Sequence, residues 1–544
     1  MKRLLLASAC LVATTAFAQD DNNKLTLSGS IQSDMLVPQD DSKIGAVKDE
    51  DFQTNTYVDL LLQHRDFEAG ARLEYLEHPL PGFENEFKGW GVPNFYVKGK
   101  LSWAELTVGT YYEQFGSGFI LRTYEERSLG IDNSLLGGRL VLKPVKGLTL
   151  KALTGHQRTY WDWTKSYVSG ADAEMNVDEW IPAMQQSGTR LMIGGSWVNK
   201  HESKDNTIFA DATHYVNTPR NVNAWDVRAQ LNHGNWGLLA EYAQKSDDPS
   251  FANGYTFHRG SAAMLSLSYS KKGMSLLAQA KRSEDMSFRS ERARTGTAAM
   301  INHLPAFTQD QTYALAALYP YATQLADGEW AYQAELGYNF KRRTALGGKY
   351  GMDLKVNYSY VREIDHERVQ GNPAGTKGFT SKFFKWGDRT FYQDLNVQLS
   401  RKFTKAFKLN LMYMNQRYNK AVVEGHGEMI HSDIFIADGK YQFSPKTTLR
   451  GEVQYLTTKQ DDGDWAYGLL ELSLVPHWML TVSDMWNCGV TDVHYYQGLV
   501  TYNTGAHRLQ AGYGRTRAGY NCSGGVCRWI PASRGFTLSY NYNF

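Results

Sequence analysis

Apolar and polar residues alternate with a period of two along most of this chain. The clearest unit runs from Trp225 to Tyr242. Trp225, Val227, Ala229 and Leu231 alternate with Asp226, Arg228 and Gln230, His233-Gly234-Asn235 makes a tight turn, and Trp236, Leu238, Ala240 and Tyr242 alternate on the way back. Successive side chains of a strand point to opposite faces, so this is a hairpin with one apolar and one polar face. The unit recurs. Ala263, Leu265, Leu267 and Tyr269 turn at Lys271-Lys272-Gly273 into Met274, Leu276, Ala278 and Ala280, and similar strands follow from Met352 to Tyr360, Leu395 to Leu399, Leu409 to Tyr413, Leu449 to Tyr455 and Trp478 to Val482.

The links between strands also alternate. Short turns stand at His64 to Asp66, Pro144 to Gly147, His233 to Asn235, Val475 to His477 and Asn503 to Ala506, while long links run from Gln157 to Lys165, Ser283 to Gly328, Glu363 to Asp388 and Arg517 to Ser533. Short turns on one side and long loops on the other are the pattern of an up-and-down transmembrane barrel of outer-membrane type. A soluble sandwich does not sort its loops this way. Twenty-three strands read clearly or fairly, and a weak one at Val168–Val177 would make 24. The expectation is an all-β, antiparallel, single-domain barrel of 24 strands over 19–544, with 22 as the alternative, since such barrels have even strand numbers. The first strand is expected to start at Lys24, which leaves no room for a folded N-terminal plug domain.

The last ten residues fit a closing strand. Phe536, Leu538, Tyr540, Tyr542 and Phe544 share one face, and Thr537, Ser539, Asn541 and Asn543 the other. A soluble edge strand with a wholly apolar face is an aggregation hazard; closing the ladder onto the first strand removes the edge. The stretch resembles the closing strand of bacterial outer-membrane barrels. That resemblance makes Tyr540, Tyr542 and Phe544 the signal read by the barrel-assembly machinery, with outer-membrane lipid around the barrel.

Met1-Lys2-Arg3, the apolar run Leu4 to Ala13 and Ala16-Phe17-Ala18 form a cleavable signal peptide over 1–18, and Ala7-Ser8-Ala9 before Cys10 lacks the Leu that lipoprotein signals favour. Of 544 residues, 526 remain from Gln19 on, about 22 per strand with its loop against the roughly 10 needed to cross a membrane. Without Lys2 and Arg3 the chain carries 56 basic and 56 acidic residues, so no net field draws nucleic acid to it. Mean hydropathy is −0.47, and no apolar run is long enough for a membrane helix. Transmembrane strands escape that measure, because only alternate residues need be apolar. Cys522 and Cys527 flank Ser-Gly-Gly-Val and are candidates for a local disulfide, leaving Cys488 free or exchanging with one of them.

One stretch breaks the pattern. From Gly109 to Arg139 alternation is lost, and Glu113, Arg122, Glu125, Glu126, Arg127, Asp132 and Arg139 crowd together. Charges at membrane depth must face water or one another. The expectation is a segment over about 113–135 that folds into the lumen and narrows it, as an inward loop does in a porin. Tyr112-Glu-Gln-Phe-Gly-Ser-Gly118, Leu121-Arg122, Tyr124-Glu-Glu-Arg127 and Gly130-Ile-Asp-Asn-Ser134 resemble an outer-membrane barrel family of Bacteroidota, as do Asn302-His-Leu-Pro-Ala306 and Thr312 to Gln324. The family is a domain of unknown function, so the resemblance implies compartment and fold and assigns no activity.

Enzyme signals are weak. Phe115-Gly-Ser-Gly-Phe119 lacks the outer glycines of a nucleophile elbow around Ser117. His426 and His431 beside Glu424 and Glu428, and Asp461-Asp-Gly-Asp464, fall short of complete metal-ligand sets. Tyr160, Trp161 and Trp163 read either as a sugar-stacking platform or as part of an interfacial aromatic girdle. No cofactor and no metal are expected. The function expected first is a porin-like channel or passive transporter for small polar solutes. The second reading is a structural, assembly or secretion-associated barrel whose lumen is plugged by Gly109 to Arg139 and the Ser283 to Gly328 loop, and the third is an outer-membrane hydrolase.

Overall fold

The computed structural model describes residues 25–203, 208–209, 213–369 and 377–544; the leader expected over 1–18, its cleavage site and Lys24 lie outside them. Alternation becomes a closed sheet. Twenty-four long strands, from Thr26–Pro38 to Ser533–Asn543, pair antiparallel with their sequence neighbours all the way round. The ring closes where Ser30 to Pro38 pairs with Asn543 to Gly535. The ladder reaches the final residue, since the Gly29 N–H donates to the Phe544 carbonyl at 2.9 Å and the Phe544 N–H returns to the Gly29 carbonyl at 3.0 Å. The count is 24, not the alternative 22.

The strand that reads weakly in sequence is complete. Tyr167–Asn176 pairs on both sides, with Leu148–Thr159 and Thr189–His201. Its outward positions include Ser169, Ala171 and Ala173, too small to give a strong apolar signal. The turns expected to be short connect adjacent strands tightly, at 65–66, 234–235 and 272–273 for example. Two links on that same end, 177–188 and 341–351, are longer than the rule suggests. The first strand begins and the last ends at this short-turn end.

The burial pattern is inverted relative to a soluble protein. Val227, Leu265, Val482 and Phe536 are each more than half exposed on the outside. Their neighbours Val222, Ala224 and Ala262 point inward and are buried. An apolar belt outside and a closed ladder are what a bilayer's hydrocarbon requires of a spanning sheet. Among the described residues the apolar core therefore sits inside the lumen, in its long-loop half. Along Asn221–His233 the inward side chains Val222, Ala224, Asp226 and Arg228 are buried, whereas Gln230 and Asn232 on the same face are exposed. Along Met429–Ser444 the inward face likewise passes from buried Ile434, Ile436 and Asp438 to exposed Lys440 and Gln442. The short-turn half of the lumen is open to solvent and lined by polar groups.

Candidate functional site

Two loop segments, 112–134 and 285–328, enter the barrel from the long-loop end and pack on each other. Phe115, Phe119, Ile120 and Leu121 of the first are fully buried, and with Met286, Phe288, Ile301 and Leu315 of the second they form one core against Val168, Val198, Met414 and Ile434 of the wall. The two stretches that carry the family resemblance meet here. The Arg122 N–H donates to the Ile301 carbonyl at 2.8 Å, and the His303 N–H donates to the Gly118 carbonyl at 3.0 Å. Asn302 Nδ2 donates to the carbonyls of Phe119 at 2.9 Å and Met286 at 2.8 Å. A buried amide that satisfies two loop carbonyls offsets part of the cost of placing irregular backbone in a dry interior.

The charged residues of the first segment divide into two networks with the wall. Arg72, on the strand Phe67–Leu76, holds Glu125 at 2.8 Å through both terminal nitrogens, Asp59 at 2.7 Å and Asp132 at 3.3 Å. Arg127 binds Glu125 at 2.7 Å and Asp59 at 2.8 Å, with its guanidinium over the Tyr57 ring. Arg158 grips Glu74 with two bonds of 2.9 and 2.6 Å and reaches Asp132 at 2.7 Å. Forked guanidinium–carboxylate pairs fix geometry as well as charge. In the second network Glu113 accepts from Arg139 Nε and from Lys151 at 3.0 Å, while Arg139 also reaches Glu105 at 2.6 Å. Two expected members stand apart from these networks. Arg122 lies over the Tyr124 ring, and Glu126 caps a short turn by accepting from the Ser128 N–H and hydroxyl.

A third cluster lies on the adjoining wall. Arg228 pairs with Asp172, with Asp226 at 2.7 Å and with Glu174 at 2.8 Å. Beside it Glu241 accepts the Ser117 N–H at 2.9 Å. Gly116 sits there at a left-handed φ of 51°, where a Cβ would come within 2.7 Å of Glu241 Oε1, so that turn needs glycine.

The second segment is tied down by wall residues that sequence reasoning missed. Lys245 Nζ donates to the Ser287 carbonyl at 2.7 Å, and Lys281 Nζ to the Pro305 carbonyl at 2.6 Å. Gln454 accepts the Leu315 N–H at 2.9 Å, and Gln416 donates to the Tyr319 carbonyl at 3.1 Å. Burial, with Arg122 and Lys281 nearby, pushes the His303 imidazole down to about 3, which keeps it neutral. Asp285, at the segment's start, is pushed up to about 7 by burial, although Asn253 donates to both its oxygens.

A hairpin of Gly519–Ser523 and Val526–Ile530 lies over the plug. Cys522 is joined to Cys527, and Cys488 is free. The Thr323 N–H donates to the Gly525 carbonyl at 3.0 Å. The outer acidic turn is occupied by protein contacts, since Asp461 pairs with Lys420 at 2.6 Å and Asp464 accepts the Thr458 N–H at 3.0 Å. His426 Nδ1 meets the Glu424 carbonyl at 3.1 Å. Among the described residues no three His, Cys, Asp or Glu side chains converge at metal-binding spacing.

No curated protein matches the chain. Solved structures similar to it include the siderophore receptor PirA from Pseudomonas aeruginosa, at 9% identity over 96% of this chain and 81% of that one, with a TM-score of 0.43. Others are the translocation pore of the P pilus usher PapC, at 11% identity, 95% and 99% coverage and a TM-score of 0.38, and a BenF-like porin from Pseudomonas fluorescens Pf-5, at 10%, 96%, 98% and 0.35. Across residues 1–544 the sequence matches the model of a family of unknown function, DUF6029, and the chain belongs to that family.

Proposed function

We propose that the protein is an integral outer-membrane barrel that passes small polar solutes under the control of its inward-folded plug. The observation that carries this reading is the two-part lumen. A polar, solvent-open half runs from the short-turn end up to a packed core, and the same inward faces line both parts. That is the anatomy of a passage closed at one level. Its lining carries both signs in adjacent pairs, such as Lys355 with Glu335 and Arg450 with Asp438, which supports weak discrimination between anions and cations. Outer-membrane residence, export through the leader at 1–18, a Bacteroidota host and recognition of Tyr540, Tyr542 and Phe544 by the assembly machinery belong to this reading. The apolar belt supports the membrane residence, and the completed closing ladder supports the role of the last strand.

A second reading has its own support. The plug core is as fully buried as the interior of a globular domain, so the closed state needs no ligand to hold it. That suits a structural or secretion-associated barrel. Planar-bilayer recording tests the passage. The intact protein should be nearly silent, and replacing 286–325 by a short Gly-Ser linker should give stable, large conductance. Silence in both proteins would overturn the passage.

A further inference from the structure

The aromatic cluster Tyr160, Trp161 and Trp163 has no part in the plug, and its surroundings assign it one of its own. Segments from the long-loop end, at residues 86, 159–163, 165–166, 202–203, 208, 218, 255 and 291–294, converge on a cleft of about 750 Å³. That volume falls within the roughly 300–1,000 Å³ of small-ligand sites. Tyr160, Trp161, Trp163 and Tyr255 line it.

The cleft wall is built rigidly. The Trp161 indole N–H donates to the Phe87 carbonyl at 2.9 Å, and the ring lies over Gly89 and Gly91, where a Cβ would approach to 3.1 and 3.5 Å. Tyr160 meets Phe87 edge-on at 4.8 Å. Tyr160 and Tyr255 both hold left-handed backbone conformations, at φ of 56° and 57°. Bulky side chains rarely adopt that region, and each instance costs on the order of 1–3 kcal/mol, so such residues gather where a binding surface must be shaped. The Arg158 Nε donates to the Tyr160 carbonyl at 2.8 Å, and the Tyr255 N–H donates to the Ser250 carbonyl at 2.8 Å, which holds both in place.

The polar side of the cleft is incomplete. Thr159 Oγ1, Ser166 Oγ and Arg292 Nη1 are buried polar atoms without a hydrogen-bond partner among the described residues, and all three residues line this cleft. The charges around them are largely spent on each other, as Arg292 pairs with Glu202 at 2.9 Å and Arg294 with Glu291 at 2.8 Å. The cleft therefore offers flat rings beside hydroxyl side chains and charged groups of both signs.

We infer that this cleft binds a neutral saccharide at the long-loop mouth of the barrel. Sugar rings present apolar C–H faces to aromatic rings and hydroxyls that both donate and accept, which is the complement of this wall. Strong anions and apolar ligands lack one or the other half of that match. The inference does not depend on whether the lumen conducts.

The test is calorimetric titration of the full chain in detergent with neutral trisaccharides of glucose and of N-acetylglucosamine, with triglycine as the control. At least one trisaccharide should bind. Trp163→Ala should weaken it about tenfold, and Thr159→Val and Ser166→Ala about fivefold each, the worth of one hydrogen bond. Intact heat-modifiable migration of each variant on gels would show that the barrel has formed. Binding of neither sugar at millimolar concentration, binding that all three variants leave unchanged, or binding of triglycine alone would overturn the inference.

Discussion

Asn302 joins two parts of the plug that lie far apart in the chain: its Nδ2 donates to the Phe119 carbonyl, 183 residues upstream, and also to Met286 within its own segment. Asn302 is fully buried. Asn302→Ala leaves two buried carbonyls without a donor. Each costs about 1–3 kcal/mol, so the junction should lose several kcal/mol. The barrel ladder touches neither bond and should survive. Hydrogen exchange by mass spectrometry should then show faster exchange in both 112–134 and 285–328, with the strands unchanged. Acceleration confined to 285–328 would mean that the two segments are not one unit.

The outer face of the barrel was legible in the sequence because lipid and water impose a period of two on every strand. Trp225, Val227 and Leu231 declared their face through spacing alone. The lumen was less legible. Nothing in the spacing of Glu74 and Arg158, or of Leu315 and Gln454, announces that they bond, because closure of the sheet and return of the loops bring them together. Arg72 and Lys245 read as ordinary strand charges. One signal was available: Met300-Ile301 and Ala314 to Tyr321 are too apolar for a solvated loop and demand a core. The small side chains of Ser169, Ala171 and Ala173 weakened one strand's signal for a simple reason: a lipid-facing position tolerates Ala without needing it.

The disulfide should act on the plug through the hairpin that carries it. Cys522 and Cys527 enclose a very short loop, and Gly525 at its tip accepts from Thr323. Closing such a loop is worth about 2 kcal/mol in the chain-entropy account. Cys522→Ser with Cys527→Ser should therefore speed exchange at 519–530 and around Thr323, while leaving the Arg72 network protected. Chemical reduction should reproduce the effect in the native protein and do nothing further to the double variant.

Plug stability should fall as pH rises from the ordinary carboxylate range towards about 7. Asp285 is buried and faces Lys245, Asp248, Asn253 and His258, and burial pushes its carboxyl up to about 7. A carboxyl whose folded value lies above its unfolded one is favoured in the protonated, folded form. Its contribution is full below the ordinary carboxylate range and is lost as pH passes the raised value. Exchange in 285–328, corrected for intrinsic rates, should accelerate from about pH 4 to about pH 7 and level off above that. Asp285→Asn keeps the hydrogen-bonding shape and cannot ionise, so it should flatten that profile. A profile equally steep in the variant would assign the titration elsewhere.

Gly29 tests the seam. It exchanges both backbone bonds with Phe544, and a Cβ built on it would come within 2.5 Å of the Asp59 carbonyl and 2.6 Å of the Phe544 ring. The ring cannot retreat freely, since it stacks on Tyr542 at 5.5 Å. Gly29→Val should therefore push the last residue off the first strand and open the ladder at the short-turn end. An unpaired ladder end in lipid costs several kcal/mol for each lost group. The expected result is a lower yield of heat-modifiable, folded barrel in vesicle refolding, with the deficit shared by a variant lacking Phe544. Combining the two changes should cost little more than either alone, because both remove the same contact. Additive losses would show that Gly29 and Phe544 act on separate steps.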